Sequence, residues 1–125
     1  MSRTEDEHVL IPLLRMGAGK PDAECPVARF MDALAGTWTT LIVRELLTGP
    51  KRFGEILSRL DGVSSKTLSA RLKKLASAGI LTRKDHGGVP PKVVYELTDA
   101  GMQLAPVLYE MALWADKHLP ISDDS

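Results

Sequence analysis

The sequence predicts an α+β fold that is mostly α-helical, in which a two-stranded hairpin follows a series of short helices. Two observations carry this prediction. Apolar residues recur at the helical period from about residue 26 to residue 78. Beyond Gly79 the pattern changes to β-branched segments that flank a stretch rich in glycine and proline. Helices therefore account for most of the chain, and a hairpin interrupts them near residue 87.

The composition is that of one ordinary globular domain. A chain of 125 residues, 44% of them hydrophobic, can bury a useful core. No apolar run is long enough to cross a bilayer, and the polar N-terminus does not resemble a signal peptide. A single cysteine cannot form a disulfide within the chain. We therefore expect a cytoplasmic protein with no membrane partner.

Charge is unevenly distributed, although the formal net charge is zero. Residues 51–95 hold ten lysines and arginines against three carboxylates, a net charge of +7, so the remainder of the chain carries −7. Segregated charge creates a local positive field even in a neutral protein. The middle of the chain therefore has the electrostatic character of a surface that meets nucleic acid.

The N-terminal part predicts an arm and then a helix. Residues 1–24 are interpreted as an arm or short amphipathic helix suited to covering a partner subunit. Pro26 fits the first position of a helix, which places Cys25 at the N-cap. Gly36 is expected to end this helix.

Two further helices precede a tight turn. Thr37 is expected to cap the first, from Trp38 to Thr48, whose apolar residues cover more than one face, as in a core helix. The second is short, from Phe53 to Leu60, and has one apolar stripe. Asp61-Gly62 forms the turn that leads directly into the next helix.

The helix after this turn has well-defined ends and two chemically different faces. Ser64 suits its N-cap, and Gly79 suits the left-handed position beyond its end. Three leucines from Leu68 to Leu75 form an apolar stripe. The opposite face carries cations and small residues and no carboxylate: Lys66, Ser69, Ala70, Lys73 and Ser77. Two short helices joined in this way form a helix-turn-helix, whose second helix can enter the major groove of DNA.

The hairpin that follows has the features of a wing. Residues 80–84 and 92–97 read as its strands, and the tip between them contains two glycines and two prolines. Arg83, Lys84 and Lys92 flank the tip, where they can reach phosphates or a minor groove. One alternative is an ordinary solvated hairpin, against which the preceding helix-turn-helix argues. The other is a winged helix used only to bind proteins, against which the excess of cations on the helix face and wing argues.

The candidate DNA-binding residues fall into two groups. Residues near the start of the recognition helix are assigned to base edges, because lysine reaches guanine acceptors and small residues allow close approach. Cations elsewhere on the helix and wing are assigned to phosphates. For Arg71 and Lys74 the alternative is a position on the helix flank, from which they serve phosphates only. The full set is Ser64, Ser65, Lys66, Thr67, Ser69, Ala70, Arg71, Lys73, Lys74, Arg83, Lys84, His86 and Lys92.

The last helical region is interpreted as a dimerisation element. Thr98 and Asp99 are expected to cap it, and Pro106 predicts a short turn up to Leu104 before a longer helix. This helix could complete the monomer core, but a two-fold dimer suits its apolar repeat better. The interface candidates are Val107, Leu108, Met111, Trp114 and Ala115. The predicted fold is therefore a winged helix-turn-helix with N- and C-terminal dimerisation helices.

Several of these positions together resemble one family of regulators. They are Cys25-Pro26-Val27, Gly36, Trp38, Arg52-Phe53, Glu55-Ile56, Gly62-Val63-Ser64, Lys66, Leu81, Arg83, Pro90-Pro91, Val94-Tyr95, Leu97-Thr98 and Gly101. The pattern resembles the HxlR-type transcriptional regulators, winged helix-turn-helix proteins of bacteria and archaea related to the MarR group. It spans residues 25–118, which leaves residues 119–125 as a tail. The resemblance implies a homodimer that binds inverted repeats in double-stranded DNA and represses, or less often activates, neighbouring genes.

Two positions depart from the family pattern. Thr37 stands where the family often has lysine, which matters little for DNA binding. Asp85-His86 stands where an aromatic residue is frequent, which alters the contacts that the wing can make. The arm at residues 1–24 is also longer than usual.

Cys25 is the candidate redox-sensing residue. Some HxlR-type regulators sense oxidants, quinones or aldehydes through a cysteine at this position, and the resemblance implies the same here. A helix N-terminus favours the reactive thiolate, whereas Asp22 and Glu24 oppose it. Because the chain has no second cysteine, a disulfide must join two subunits or capture a small thiol. A merely structural thiol, or a switch driven by a non-covalent small ligand, is the alternative.

An enzyme is not expected. The histidines His8, His86 and His118 are isolated, and neither paired carboxylates nor a glycine-rich phosphate loop accompanies them. No residue pattern predicts a metal site or a cofactor. The expected partners are DNA, a second copy of the chain and an oxidant or small-molecule effector.

Overall fold

A computed structural model describes residues 25–122 of the chain. The described residues divide into two units, with the boundary between Ala35 and Gly36. The predicted N-terminal arm and the end of the tail lie outside the described residues. The described elements are α1 (Pro26–Leu34), α2 (Thr39–Leu46), α3 (Phe53–Arg59), α4 (Ser65–Ser77), β1 (Leu81–Asp85), β2 (Val93–Leu97), α5 (Asp99–Met102) and α6 (Leu104–His118). The α+β, mostly α class is therefore confirmed.

Helix α1 belongs to the first unit and begins as the sequence predicts. Cys25 is its N-cap in an extended conformation, and Pro26 occupies the first turn. The backbone N–H of Arg29 donates to the carbonyl oxygen of Cys25 at 3.0 Å. Val27 and Met31, one turn apart, leave about half of their side chains exposed.

Helix α2 is shorter than predicted, and the assignment of Thr37 as its cap is wrong. Gly36 has a φ of +114°, and its carbonyl oxygen accepts the Thr39 N–H at 3.3 Å. Residues 36–39 therefore form a turn, so Thr37 lies before the helix and Trp38 becomes the N-cap. At the other end, the N–H of Gly49 donates to the carbonyl of Leu46 at 3.2 Å, which closes the helix before Thr48.

The second unit has one apolar core that joins the helix-turn-helix to the base of the hairpin. Helix α2 contributes Ile42, Val43 and Leu46, which confirms it as a core helix. Each such aliphatic side chain contributes about 1.5–3 kcal/mol when fully buried. The remaining buried side chains of this core are Ile56, Leu60, Val63, Leu68, Leu72, Leu75, Ile80, Leu81 and Leu97. The orientation of α4 and the wing therefore depends on this shared core.

The hairpin forms a two-stranded antiparallel sheet in which Leu81 pairs with Leu97 and Arg83 with Tyr95. Its first strand begins one residue later than predicted. The reason is that the N–H of Ile80 donates to the carbonyl oxygen of Leu75 at 3.0 Å and so belongs to the end of α4. Lys51 extends the sheet at one point, because it exchanges both backbone hydrogen bonds with Tyr95, at 2.8 and 3.0 Å.

The C-terminal elements follow the prediction closely. Thr98 caps α5, since its hydroxyl accepts the Gly101 N–H at 3.1 Å. Helix α6 begins at Leu104, so Pro106 lies in its first turn, where a missing N–H costs no helical hydrogen bond. Among residues 25–122, no helix combines the length and the apolar character needed to span a membrane.

Candidate DNA-binding surface

Helix α4 presents cations and small residues on its outer face. Its N-cap is Ser64, whose hydroxyl oxygen accepts the Thr67 N–H at 3.0 Å. Three leucines on the other side, Leu68, Leu72 and Leu75, are at most 2% exposed and fix the helix to the core. The outward side chains are exposed or half-buried: Ser65, Lys66, Thr67, Ser69, Ala70, Lys73 and Ser77. No carboxylate lies among them, so this face can approach a polyanion.

The end of α4 sets the direction in which the wing leaves the helix. Gly79 has a φ of +78°, and its N–H donates to the carbonyl oxygen of Ala76 at 3.0 Å. Together with the bond from Ile80 to Leu75, this arrangement is a Schellman motif. The motif also packs Ile80 against the core, because both Ile80 and Leu75 are buried. The wing therefore starts from a rigid turn.

The two adjacent cations of β1 lie on opposite faces of the wing. Arg83 is directly opposite Tyr95 and alternates with buried Leu81, so it lies on the face that turns toward the core and α4. Lys84 lies on the outer face, where its Nζ is 3.2 Å from a carboxylate oxygen of Glu96. From the sequence, both cations were assigned to phosphates without a distinction between them. The alternation of side chains along the strand, combined with the register of the hairpin, shows that the two cations lie on opposite faces.

A groove of about 310 Å³ lies between α4 and the inner face of the wing. Its lining combines two cations, two hydroxyl-bearing side chains and two apolar ones. These residues are Ser69, Leu72, Lys73, Ala76, Arg83 and Tyr95. Tyr95 was missed as a candidate site residue, although its position two residues before buried Leu97 places it on the inner face.

The flank of α4 carries two cations in different environments. Arg71 is half-buried and lies against the turn before α2, because a Cβ placed on Gly36 would be 3.4 Å from its Nε. That Nε is buried and has no hydrogen-bond partner among the residues that the structure describes. Lys74 is exposed in the last turn of the helix. Lys74 is therefore the freer of the two to meet a phosphate.

The tip of the wing carries the other two candidates. His86 and Lys92 are exposed, and the N–H of His86 donates to the carbonyl oxygen of Lys92 at 2.8 Å. The carboxylate of Asp85 accepts the Gly87 N–H at 2.8 Å, so it stabilises the turn. Both candidates therefore project from an ordered tip.

An ion pair joins α2 to α3, the first helix of the helix-turn-helix. Glu45 is 8% exposed, and one of its carboxylate oxygens is 2.5 Å from Nε of Arg59. The hydrogen bond from Arg59 lowers the pKa of Glu45, whereas burial opposes this shift. The Nζ of Lys51 donates to the backbone carbonyl of Glu45 at 2.8 Å. These contacts fix α3 relative to α2.

Helix α6 contains no buried residue, and large apolar side chains on it are open to solvent. Met111 and Trp114 are 48% and 58% exposed, and Val107 is 39% exposed. Leu108 and Ala115 are half-buried. Tyr109 and Leu113, which were not among the predicted interface residues, are also exposed.

Besides the surface that carries the cations, the described residues include one thiol. Cys25 is a free, half-buried cysteine at the N-cap of α1. In the part of the chain that the structure describes, no three His, Cys, Asp or Glu side chains form a group that could hold a metal ion.

The chain is similar to known regulators over most of its length. The model of the HxlR-like helix-turn-helix family matches residues 33–123. The HTH-type transcriptional regulator sll1512 of Synechocystis sp. is 41% identical over 87 residues, which cover 70% of this chain and 64% of that protein. The match therefore spans slightly less than two thirds of that relative.

Solved structures agree with this match. The reduced form of the transcriptional regulator YodB from B. subtilis is 38% identical, with a TM-score of 0.70 and coverage of 79% of this chain and 98% of that one. The redox regulator HypR in its reduced form is 30% identical, with a TM-score of 0.70 and coverage of 75% and 95%. These relatives are transcriptional regulators, the class of protein that the sequence predicts.

Proposed function

The chain belongs to the HxlR-like helix-turn-helix family of DNA-binding transcriptional regulators, and we propose that it is a homodimeric repressor that reads an inverted-repeat operator. The observation that carries this proposal is the outer face of α4. That face offers lysines and small polar residues without a carboxylate, while the leucines behind it hold the helix rigid. Such a helix can lie in the major groove with its first turns against base edges.

Within this proposal, the contacts divide by chemistry. Ser65, Lys66, Ser69 and Ala70 meet base edges, since they occupy the first two turns of α4. Lys73, Lys74, Arg83 and Lys92 meet phosphates and release counterions. Lys84 adds less, because Glu96 already neutralises part of its charge.

The proposed dimer uses the exposed apolar side chains of α6. A helix of 15 residues without one buried side chain cannot contribute much to the core of its own subunit. Packing two copies of this helix about a two-fold axis would remove Val107, Met111 and Trp114 from water. A two-fold dimer presents two recognition helices, which matches an inverted repeat.

The proposed switch is oxidation of Cys25. Two of the similar structures are regulators described by their redox state, the reduced forms of YodB and HypR. The thiol of this chain is free and half-buried at the start of α1. An oxidant such as diamide takes two electrons and two protons from two thiols and leaves a disulfide, either between the Cys25 residues of two subunits or between Cys25 and a small thiol.

The test is a titration of the purified protein against DNA from upstream of its own gene, with a scrambled duplex as control. Reduced protein is expected to bind the upstream DNA selectively, and diamide is expected to release it. Cys25→Ser should remain bound after diamide treatment. Selective binding with the same affinity before and after diamide treatment would contradict the thiol switch and favour a non-covalent effector. Equal affinity for both duplexes would contradict the proposal that the protein is a sequence-selective repressor.

A further inference from the structure

We propose that the groove between α4 and the wing holds a single DNA backbone phosphate, shared by Lys73 of the helix and Arg83 of the wing. The hydroxyl of Tyr95 is the additional donor to the same phosphate. The proposal rests on the DNA-binding function proposed above and names a site within it. Its consequence is that helix and wing are fixed on DNA by one common contact.

The register of the hairpin brings the groove residues together. Arg83 and Tyr95 occupy directly opposite positions on the two strands, where Cβ atoms are about 4.5–5.5 Å apart. Their face of the wing continues into the buried pair Leu81 and Leu97, which anchors it to the core beside α4. Lys73 lines the same groove from the helix. The three side chains therefore come from a rigid frame.

The charges around the groove favour an anion. Lys73 and Arg83 are exposed, and neither forms an ion pair within residues 25–122. The two nearby carboxylates are engaged elsewhere, since Asp85 accepts the Gly87 N–H and Glu96 pairs with Lys84 on the outer face. The hydroxyl of Tyr95 likewise has no hydrogen-bond partner in the described part of the chain. Two cations and a free hydroxyl thus line a groove without a carboxylate.

The size and position of the groove favour a phosphodiester of DNA over a free anion. A volume of about 310 Å³ is at the lower limit of small-molecule pockets, about 300–1,000 Å³, and is ample for a phosphate group. Ser69 belongs both to the groove and to the outer face of α4. When that face enters the major groove, the adjoining DNA backbone passes beside it. Contacts of this kind fix the register of a protein on the duplex.

The salt dependence of binding to a random-sequence duplex tests whether the two cations share one phosphate. The slope of log K against log salt falls by about 0.9 for each phosphate that loses its contact with the protein. If the phosphate is shared, Lys73→Ala and Arg83→Ala each lower the slope by less than this amount. The double variant then lowers it by about 0.9 in total.

Control variants complete the experiment. Lys74→Ala removes the same charge from the next position of α4, outside the groove, so its effect on the slope should add fully to that of Arg83→Ala. Tyr95→Phe should lower affinity roughly tenfold, the strength of one hydrogen bond to a charged group, and leave the slope unchanged. Thermal melts establish that each variant is folded.

The outcomes separate this inference from the proposed function. A loss of about 1.8 in the slope of the Lys73→Ala/Arg83→Ala variant means two separate phosphates and overturns the shared site. No change in the slope overturns it as well. An unchanged affinity of Tyr95→Phe contradicts the role of the hydroxyl. All these readings use non-specific DNA, so they do not depend on whether the protein prefers its own upstream sequence.

Discussion

Gly101 lies so close to Ile80 that a Cβ on residue 101 would overlap the carbonyl oxygen of Ile80. Hydrogen bonds surround this contact. The hydroxyl of Thr98 donates to the carbonyl oxygen of Gly79 at 2.6 Å, and its N–H donates to that of Ile80 at 3.0 Å. The end of α4, the base of the wing and the start of the C-terminal helices therefore meet at a single junction.

Gly101→Ala is expected to destabilise the protein by about 3 kcal/mol, since the backbone must shift to admit the methyl group. Gly54→Ala is the matched control, because nothing lies within 4 Å of a Cβ at that exposed helical position. The control should be neutral or should stabilise by about 0.5 kcal/mol. Urea unfolding of both variants measures the difference. Equal stability of the two variants would contradict the close contact at the junction.

The ion pair of Glu45 and Arg59 predicts how stability depends on pH. Hydrogen bonding from Arg59 lowers the pKa of Glu45 in the folded protein. A lowered pKa gives stability that is present above the unfolded value of about 4.3 and is lost as the pH falls through the folded value. Glu45→Gln should therefore be less stable than the parent at pH 7, and the gap should begin to narrow below about pH 4 and close as the pH falls through the folded value.

Denaturant unfolding at several pH values measures this gap. The control is Arg44→Gln, because Arg44 is exposed and lies 3.6 Å from the Glu45 carboxylate. Its effect should be small at every pH. A gap between Glu45→Gln and the parent that stays constant from pH 7 to pH 3 would mean that the carboxylate does not stabilise the fold through its charge.

Lys66→Ala is expected to lose discrimination at one base pair, by roughly 1–3 kcal/mol. Lys66 is exposed in the first turn of α4, where a lysine reaches guanine acceptors. The measurement compares affinities for an operator and for single-base variants of it. Lys74→Ala should instead weaken all duplexes equally. An equal loss for Lys66→Ala on specific and scrambled DNA would reassign this residue to a phosphate.

Met111→Glu is expected to raise the dissociation constant of the dimer roughly tenfold or more, because it places a charge on the exposed apolar face of α6. Sedimentation velocity over a range of concentrations measures it. Ile121→Glu is the control, since that side chain is 95% exposed beyond the helix. If Met111→Glu and the parent protein have the same dissociation constant, the dimer interface does not include this face of α6.

The local signals in the sequence were sufficient for three of the helix ends. The capping bonds of Ser64, Gly79 and Thr98 each join residues within four positions of one another, so these capping roles follow from short-range chemistry. The start of α2 was misplaced because Thr37 is a good capping residue by type. The turn that begins at Gly36 extends to Thr39 and so excludes Thr37, whereas the sequence indicated only that Gly36 ends the preceding helix.

Long-range contacts account for what the sequence did not reveal. The ion pair of Glu45 joins it to Arg59, fourteen residues later, and the sequence contains no signal for this pairing. Arg71 reads as a free cation but packs against the turn at Gly36. Tyr95 joins the candidate site only through the register of the hairpin. Such pairings depend on the tertiary fold and have no short-range signature.

The most direct test of the account is selection of duplexes from a random library by the purified, reduced protein, followed by sequencing. We expect one enriched motif with two-fold symmetry, whose half-sites lie about 10 bp apart, or a multiple of that, from centre to centre. Ser69→Glu, which places a carboxylate on the outer face of α4, should enrich nothing. Failure of the parent protein to enrich any motif would contradict a sequence-reading dimer.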